Sequence, residues 1–148
     1  MNKAVSYCLL SCFLTIVVAL AVTCPDVLSD RNEFLKGFVN HEIVAVNGIM
    51  LTIILASASQ IHLLLNEIEE KKGTEIFRRT RHELQTSAYW LIWLFLILIL
   101  IVTLKSPISF NNHIQALISG LALSVLFCSA LILVDITKLI FGIRPDLP

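Results

Sequence analysis

From residue 43 through residue 66 the chain carries no Asp, Glu, Lys or Arg, and Glu42 and Glu67 bracket the run. As a helix this stretch extends about 36 Å, more than the ~30 Å hydrocarbon thickness of a bilayer. Such a segment either crosses a membrane or is wholly enclosed by protein. Enclosure needs polar surface, and in a chain of 148 residues that is 57% hydrophobic only 15% of the side chains are charged. That balance belongs to membrane proteins. Three further apolar runs share the character, so the predicted spans are about Val5–Thr23, Val39–Leu65, Ala88–Leu104 and Ile114–Val134. They occupy more than half the chain and leave no room for a second domain. The expected fold is all-α, a single four-span transmembrane helix bundle over residues 1–148.

The basic residues predict an orientation. Lys3, Lys71, Lys72, Arg78, Arg79, Arg81, Lys138 and Arg144 fall before span one, between spans two and three, and after span four. Arg31, Lys36 and Lys105 occupy the other two connections. Eight against three on short loops predicts that both termini and the 66–87 hairpin face the cytoplasm. Span one has a basic start and an Ala19-Leu20-Ala21 sequence that would suit cleavage. Its apolar run nevertheless exceeds the about 7–15 residues of a signal peptide, so it is read as retained.

Within the spans, small residues are periodic. Gly48, Thr52, Ala56 and Gln60 recur every fourth position on span two, and Ala116, Gly120, Ser124 and Cys128 do so on span four. Small residues at that spacing let helix backbones approach closely where lipid removes the hydrophobic drive for association. Gly48, Thr52, Ala56, Ala116, Gly120, Ser124 and Cys128 are therefore the expected helix-packing and oligomer contacts, with span two as the spine. Span one has a similar stripe at Ser11, Thr15, Ala19 and Thr23. Span three has none; its Tyr89, Trp90 and Trp93 form an aromatic belt and its remaining bulky aliphatics suit lipid, which places it outside the bundle.

The connections carry turn and cap signals. Cys24-Pro25-Asp26 makes a turn, and Ser29-Asp30 is the expected cap of a short helix with Glu33 near its start. In the hairpin, Glu67/Lys71 and Glu75/Arg79 are spaced i,i+4, so both flanks are expected to continue as helix to a break at Gly73. Ile76, Phe77, Arg78, Arg79 and Arg81 then have two readings: topology signal in contact with anionic lipid, or docking site for a cytoplasmic partner. Asp135 and Lys138, three apart at the end of span four, are expected to pair at the interface.

Chemistry is hard to place. No ionisable residue sits at mid-depth, which argues against proton- or sodium-coupled transport. The four cysteines contain no CxxC, and the four histidines are scattered; His41 and His113 could approach each other but lack further ligands. No phosphate loop, nucleophile motif or nucleic-acid module is present. The expectation is a non-enzyme with no catalytic residue, no metal and no cofactor. Asn47, one turn below Asn40 and Glu42, is the notable polar group. It either hydrogen-bonds within the chain or, with Asn40 and Glu42, lines a pore or gate in an oligomer.

In span number, size and the hairpin running from Gly48 through Arg78–Arg81 to Trp90, the chain resembles the small four-span phage-exclusion and antiphage membrane proteins of bacteria, the RexB type and the Kiwa membrane subunit. The resemblance carries no functional residue across. It implies a bacterial inner-membrane protein involved in depolarisation or in detecting infection. The expected function is an oligomerising membrane subunit that senses or perturbs the membrane, in contact with lipids, with copies of itself and with a cytoplasmic partner at the hairpin. The alternatives are a channel or uncoupled transporter subunit, and an accessory factor of a larger complex.

Overall fold

The computed structural model describes residues 3–72, 78–105 and 111–142. Among the described residues six α-helices follow one another: α1 (Lys3–Thr23), α2 (Pro25–Leu28), α3 (Glu33–Gly37), α4 (Ile43–Lys72), α5 (Arg78–Lys105) and α6 (Asn112–Gly142), with a π-type turn over Phe38–Glu42 leading into α4. There is no strand among the described residues. Four of the helical stretches, Ala4–Thr23, Glu33–Glu70, Thr80–Lys105 and Asn112–Lys138, are long and apolar enough to cross a membrane. This is the architecture of a membrane protein.

The two short helices form a strap across one end of the bundle. Pro25 starts α2 with the fixed φ that suits a first helical residue. The cap of α3 is Asn32, whose side chain accepts from the amides of Phe34 and Leu35, and not the Ser29-Asp30 pair expected from the sequence. The correction is local: Ser29 Oγ is taken by the amide of Arg31, and Asp30 is held by a partner described below. Leu28 and Leu35 turn inward from the strap, while Phe34 stays exposed and stacks on Phe38 at 5.6 Å.

α6 is the centre of the bundle. It touches α1, α2, α4 and α5, and 28% of its apolar stretch is buried, against 11% for each of the other three. At the strap end the core joins Val17, Ala21, Leu28, Leu35, Val39, Ile43, Leu98, Ala116 and Ala122. At the hairpin end a second core holds Ile54, Leu84, Leu91 and Ile136.

Two expectations about packing are corrected. Span three, expected on the outside, is α5, and it packs against both α4 and α6. The reason is a row at seven-residue spacing, Leu84, Leu91, Leu98 and Lys105, all buried on one face. Such a row is the seam of a coiled-coil-like contact. Tyr89, Trp90 and Trp93 project from α5 away from it and are exposed.

Span two was expected to pack through its small stripe. α4 instead buries Ile43, Asn47, Ile54 and Leu65, while Thr52, Ala56 and Gln60 are exposed. At about 100° per residue, positions 52 and 56 lie about 160° round the helix from Ile54. Bulky side chains that interdigitate with the α5 row gain more dispersion contact than an alanine and a threonine would, and that decides which face turns inward. Gly48, on the flank, lies against Phe95, whose Cε2 is 3.4 Å from where a glycine Cβ would be.

Candidate functional site

Three places collect the residues singled out by the sequence. The first is the α1–α6 seam. Ala116, Gly120 and Ser124 are buried and Cys128 is half-buried. A Cβ on Gly120 would stand 2.4 Å from Val17 Cγ1, so the glycine is what admits Val17 of α1. Phe13 and Phe127 stack 4.3 Å apart on the same seam. This stripe thus closes within one chain. Ser119, next to it, is fully buried and its hydroxyl has no partner.

Seven other helix hydroxyls behave differently from that of Ser119. Thr15, Thr23, Thr52, Ser124 and Ser129 each donate to the carbonyl four residues earlier, as do Thr103 and Thr137. A hydroxyl satisfied this way needs no neighbouring helix.

The second place is the strap end of α4. The helix is broken at Val39 (φ −82°, ψ 58°) and Asn40 (φ −142°, ψ −135°), which frees backbone groups of the broken turn. Lys105, at the end of the α5 row, reaches across. Its Nζ donates to the Val39 carbonyl at 3.2 Å and pairs with Asp30 Oδ1 at 2.7 Å, with the lysine side chain only 10% exposed. One cation therefore ties together α5, the strap and the broken turn. Sequence reading counted Lys105 as a loop charge; the signal that marks it is its place as the next member of the Leu84-Leu91-Leu98 row.

Asn47 is buried one turn beyond Ile43, whereas Asn40 and Glu42 are exposed at the break. The three do not converge on one opening within the chain. His41 is also exposed, and His113 Nδ1 lies 3.3 Å from the Ala21 carbonyl at the α1–α6 corner. Among the described residues no three metal-binding side chains come together.

The third place is the hairpin end. α4 continues as helix to Lys72, as the Glu67/Lys71 spacing predicted, and α5 is described from Arg78; the Glu75 half of the second pair lies outside the described residues. Ile76 and Phe77 lie outside the described residues, as do Gly73 and the side chains of Lys71, Glu75 and Arg79. Arg78 is exposed. Arg81 is half-buried and ion-paired with Glu69 of α4, so it closes the hairpin and is not a free docking cation. Beside it His82, Glu83, Thr86 and Ser87 of α5 face Asp135 and Ile136 of α6 across a crevice of about 370 Å³. On the other side of α5 a smaller crevice of about 230 Å³ opens towards α4. Compared with known proteins, the chain matches no family model, no curated protein and no solved structure.

Proposed function

We propose that the chain is an oligomerising integral membrane subunit of the bacterial inner membrane that senses or perturbs the bilayer. The observation that supports this reading is the uncovered face of α4. Thr52, Ala56 and Gln60 lie exposed, with the exposed Ile53 on one side of the stripe and the exposed Leu55 on the other, opposite the face that packs on α5. A small-residue face between bulky flanks is the form taken by close helix contacts in lipid. A second copy presenting the same face about a two-fold axis would cover it. In this reading both termini and the 66–87 hairpin are cytoplasmic, exposed Arg78 lies where a cytoplasmic partner or anionic lipid would meet it, and the process served is defence against phage.

The test is mass in mild detergent and in nanodiscs, with Thr52→Leu and Ala56→Leu. Wild type is expected as one defined oligomer that both substitutions dissociate. In a background without the native cysteines, Ala56→Cys is expected to cross-link between copies and Ile54→Cys is not. A wild-type monomer across protein concentrations refutes the proposal.

A further inference from the structure

The smaller crevice at the hairpin end is lined by Ala58 and His62 of α4 and by Arg81, Leu84, Gln85 and Ala88 of α5. Ala58 of α4 and Ala88 of α5 both line it, and larger side chains at these positions would fill the gap between the helices. Its polar rim carries several hydrogen-bond donors. Beyond the N–H given to Glu69 and the buried Nε–H, the Arg81 guanidinium keeps terminal N–H groups, Gln85 has an NH₂ and His62 at least one ring N–H, and no carboxylate is among the described residues that line the crevice. Glu69 binds the Arg81 guanidinium through one terminal nitrogen and so fixes its orientation, and Arg81 Nε is buried without a partner. The site thus joins oriented donors to an apolar wall of Ala58, Leu84 and Ala88.

Tyr89, Trp90 and Trp93 emerge from α5 one to two turns further along, exposed. Rings in such a belt sit at the headgroup level of a bilayer. The crevice therefore opens where phosphates lie on one side and acyl chains on the other. We infer that it is a binding site for a phosphate-bearing anion, held by Arg81, His62 and Gln85, and that the source its setting favours is the phosphodiester of a phospholipid whose glycerol end rests on Ala58 and Ala88. Because Glu69 already offsets the charge of Arg81, recognition depends on the donor geometry more than on net charge. The inference is independent of the oligomer reading.

The test is native mass spectrometry of the full chain released from nanodiscs that contain phosphatidylglycerol or, as the phosphate-free match, diacylglycerol with the same acyl chains. Wild type is expected to retain phosphatidylglycerol about tenfold over diacylglycerol, the scale of one hydrogen-bond set to a charged group. His62→Leu combined with Gln85→Leu is expected to remove most of that preference. Arg81→Gln should remove it too, but it also breaks the Glu69 pair. Ala88→Leu supplies the independent check, since it fills the crevice and leaves every donor in place. Displacement of the lipid by excess inorganic phosphate would assign the same donors to a soluble phosphate, and persistence of the lipid assigns them to the headgroup; both support a phosphate site. Equal retention of the two lipids by wild type overturns the inference. So does undiminished phosphatidylglycerol retention in the His62/Gln85 and Ala88 variants.

Discussion

The same substitution at two glycines separates the two helical stripes. Gly→Ala adds one methyl and, within a helix, a propensity gain of about 1 kcal/mol at either site, so that contribution cancels in the comparison. At Gly48 the new Cβ meets the edge of Phe95 at 3.4 Å, a contact a ring can accommodate by shifting slightly. At Gly120 it meets Val17 Cγ1 at 2.4 Å, about 1 Å inside an ordinary carbon contact. Val17 is β-branched and held to one favoured χ1 in a helix, so it cannot swing away cheaply. Relief requires α1 to move off α6, which also loosens the Phe13–Phe127 stack. Over-packing of this kind costs about 1–3 kcal/mol. Gly120→Ala is therefore expected to be about 1–3 kcal/mol less stable than Gly48→Ala, measured by SDS titration in dodecylmaltoside micelles with circular dichroism as the readout. Adding Val17→Ala to Gly120→Ala should recover most of the loss, with a coupling of about 1–2 kcal/mol in the double-mutant cycle. Equal stability of the two glycine variants, or no rescue by Val17→Ala, refutes the packing described for α1.

Other outcomes follow from the same geometry. Lys105→Met leaves the Val39 carbonyl without its donor and Asp30 without its cation; a loss of about 2 kcal/mol is expected, with faster hydrogen exchange over residues 38–42. Ser119→Ala removes a buried hydroxyl that bonds to nothing and should stabilise the fold by about 1 kcal/mol, read in the same SDS titration. Asn32→Ala removes the α3 cap and should cost about 1 kcal/mol, with increased exchange at the amides of Phe34 and Leu35. Cys24 is exposed at the strap end and Cys128 is half-buried inside the bundle. A membrane-impermeant maleimide added to right-side-out vesicles is expected to label Cys24 alone, and labelling of Cys24 only from inverted vesicles would reverse the proposed orientation.

The spans were legible because hydropathy over about twenty residues is a property of each segment alone. The predicted limits at Thr23 and Leu104 fall within one residue of the observed helix ends at Thr23 and Lys105. The extension of α4 beyond its apolar run was legible too, since the Glu67/Lys71 spacing is local. What could not be read in the same way was which face of each helix turns inward. That depends on a partner: the Thr52/Ala56 stripe and the Ile43/Ile54/Leu65 face of α4 compete, and the leucine row of α5 decides between them. The seven-residue row was in the sequence, hidden by uniform hydrophobicity in a helix where leucine occurs on every side. No glycine or proline occupies the break at Val39–Asn40, and the nearby Gly37 is itself helical. The break depends on Lys105, which is 66 residues away in the chain.

The threonines of α1 and α4 have a consequence for how copies would come together. Each hydroxyl already rests on a carbonyl of its own helix. These three hydroxyls therefore bring no unsatisfied donor into hydrocarbon when a copy stands alone, and they give it no polar reason to find a second. Along the Thr52/Ala56 part of the face, what joins two such molecules comes from shape and from the lipid squeezed out between them, which makes the union sensitive to the thickness and crowding of the bilayer around it.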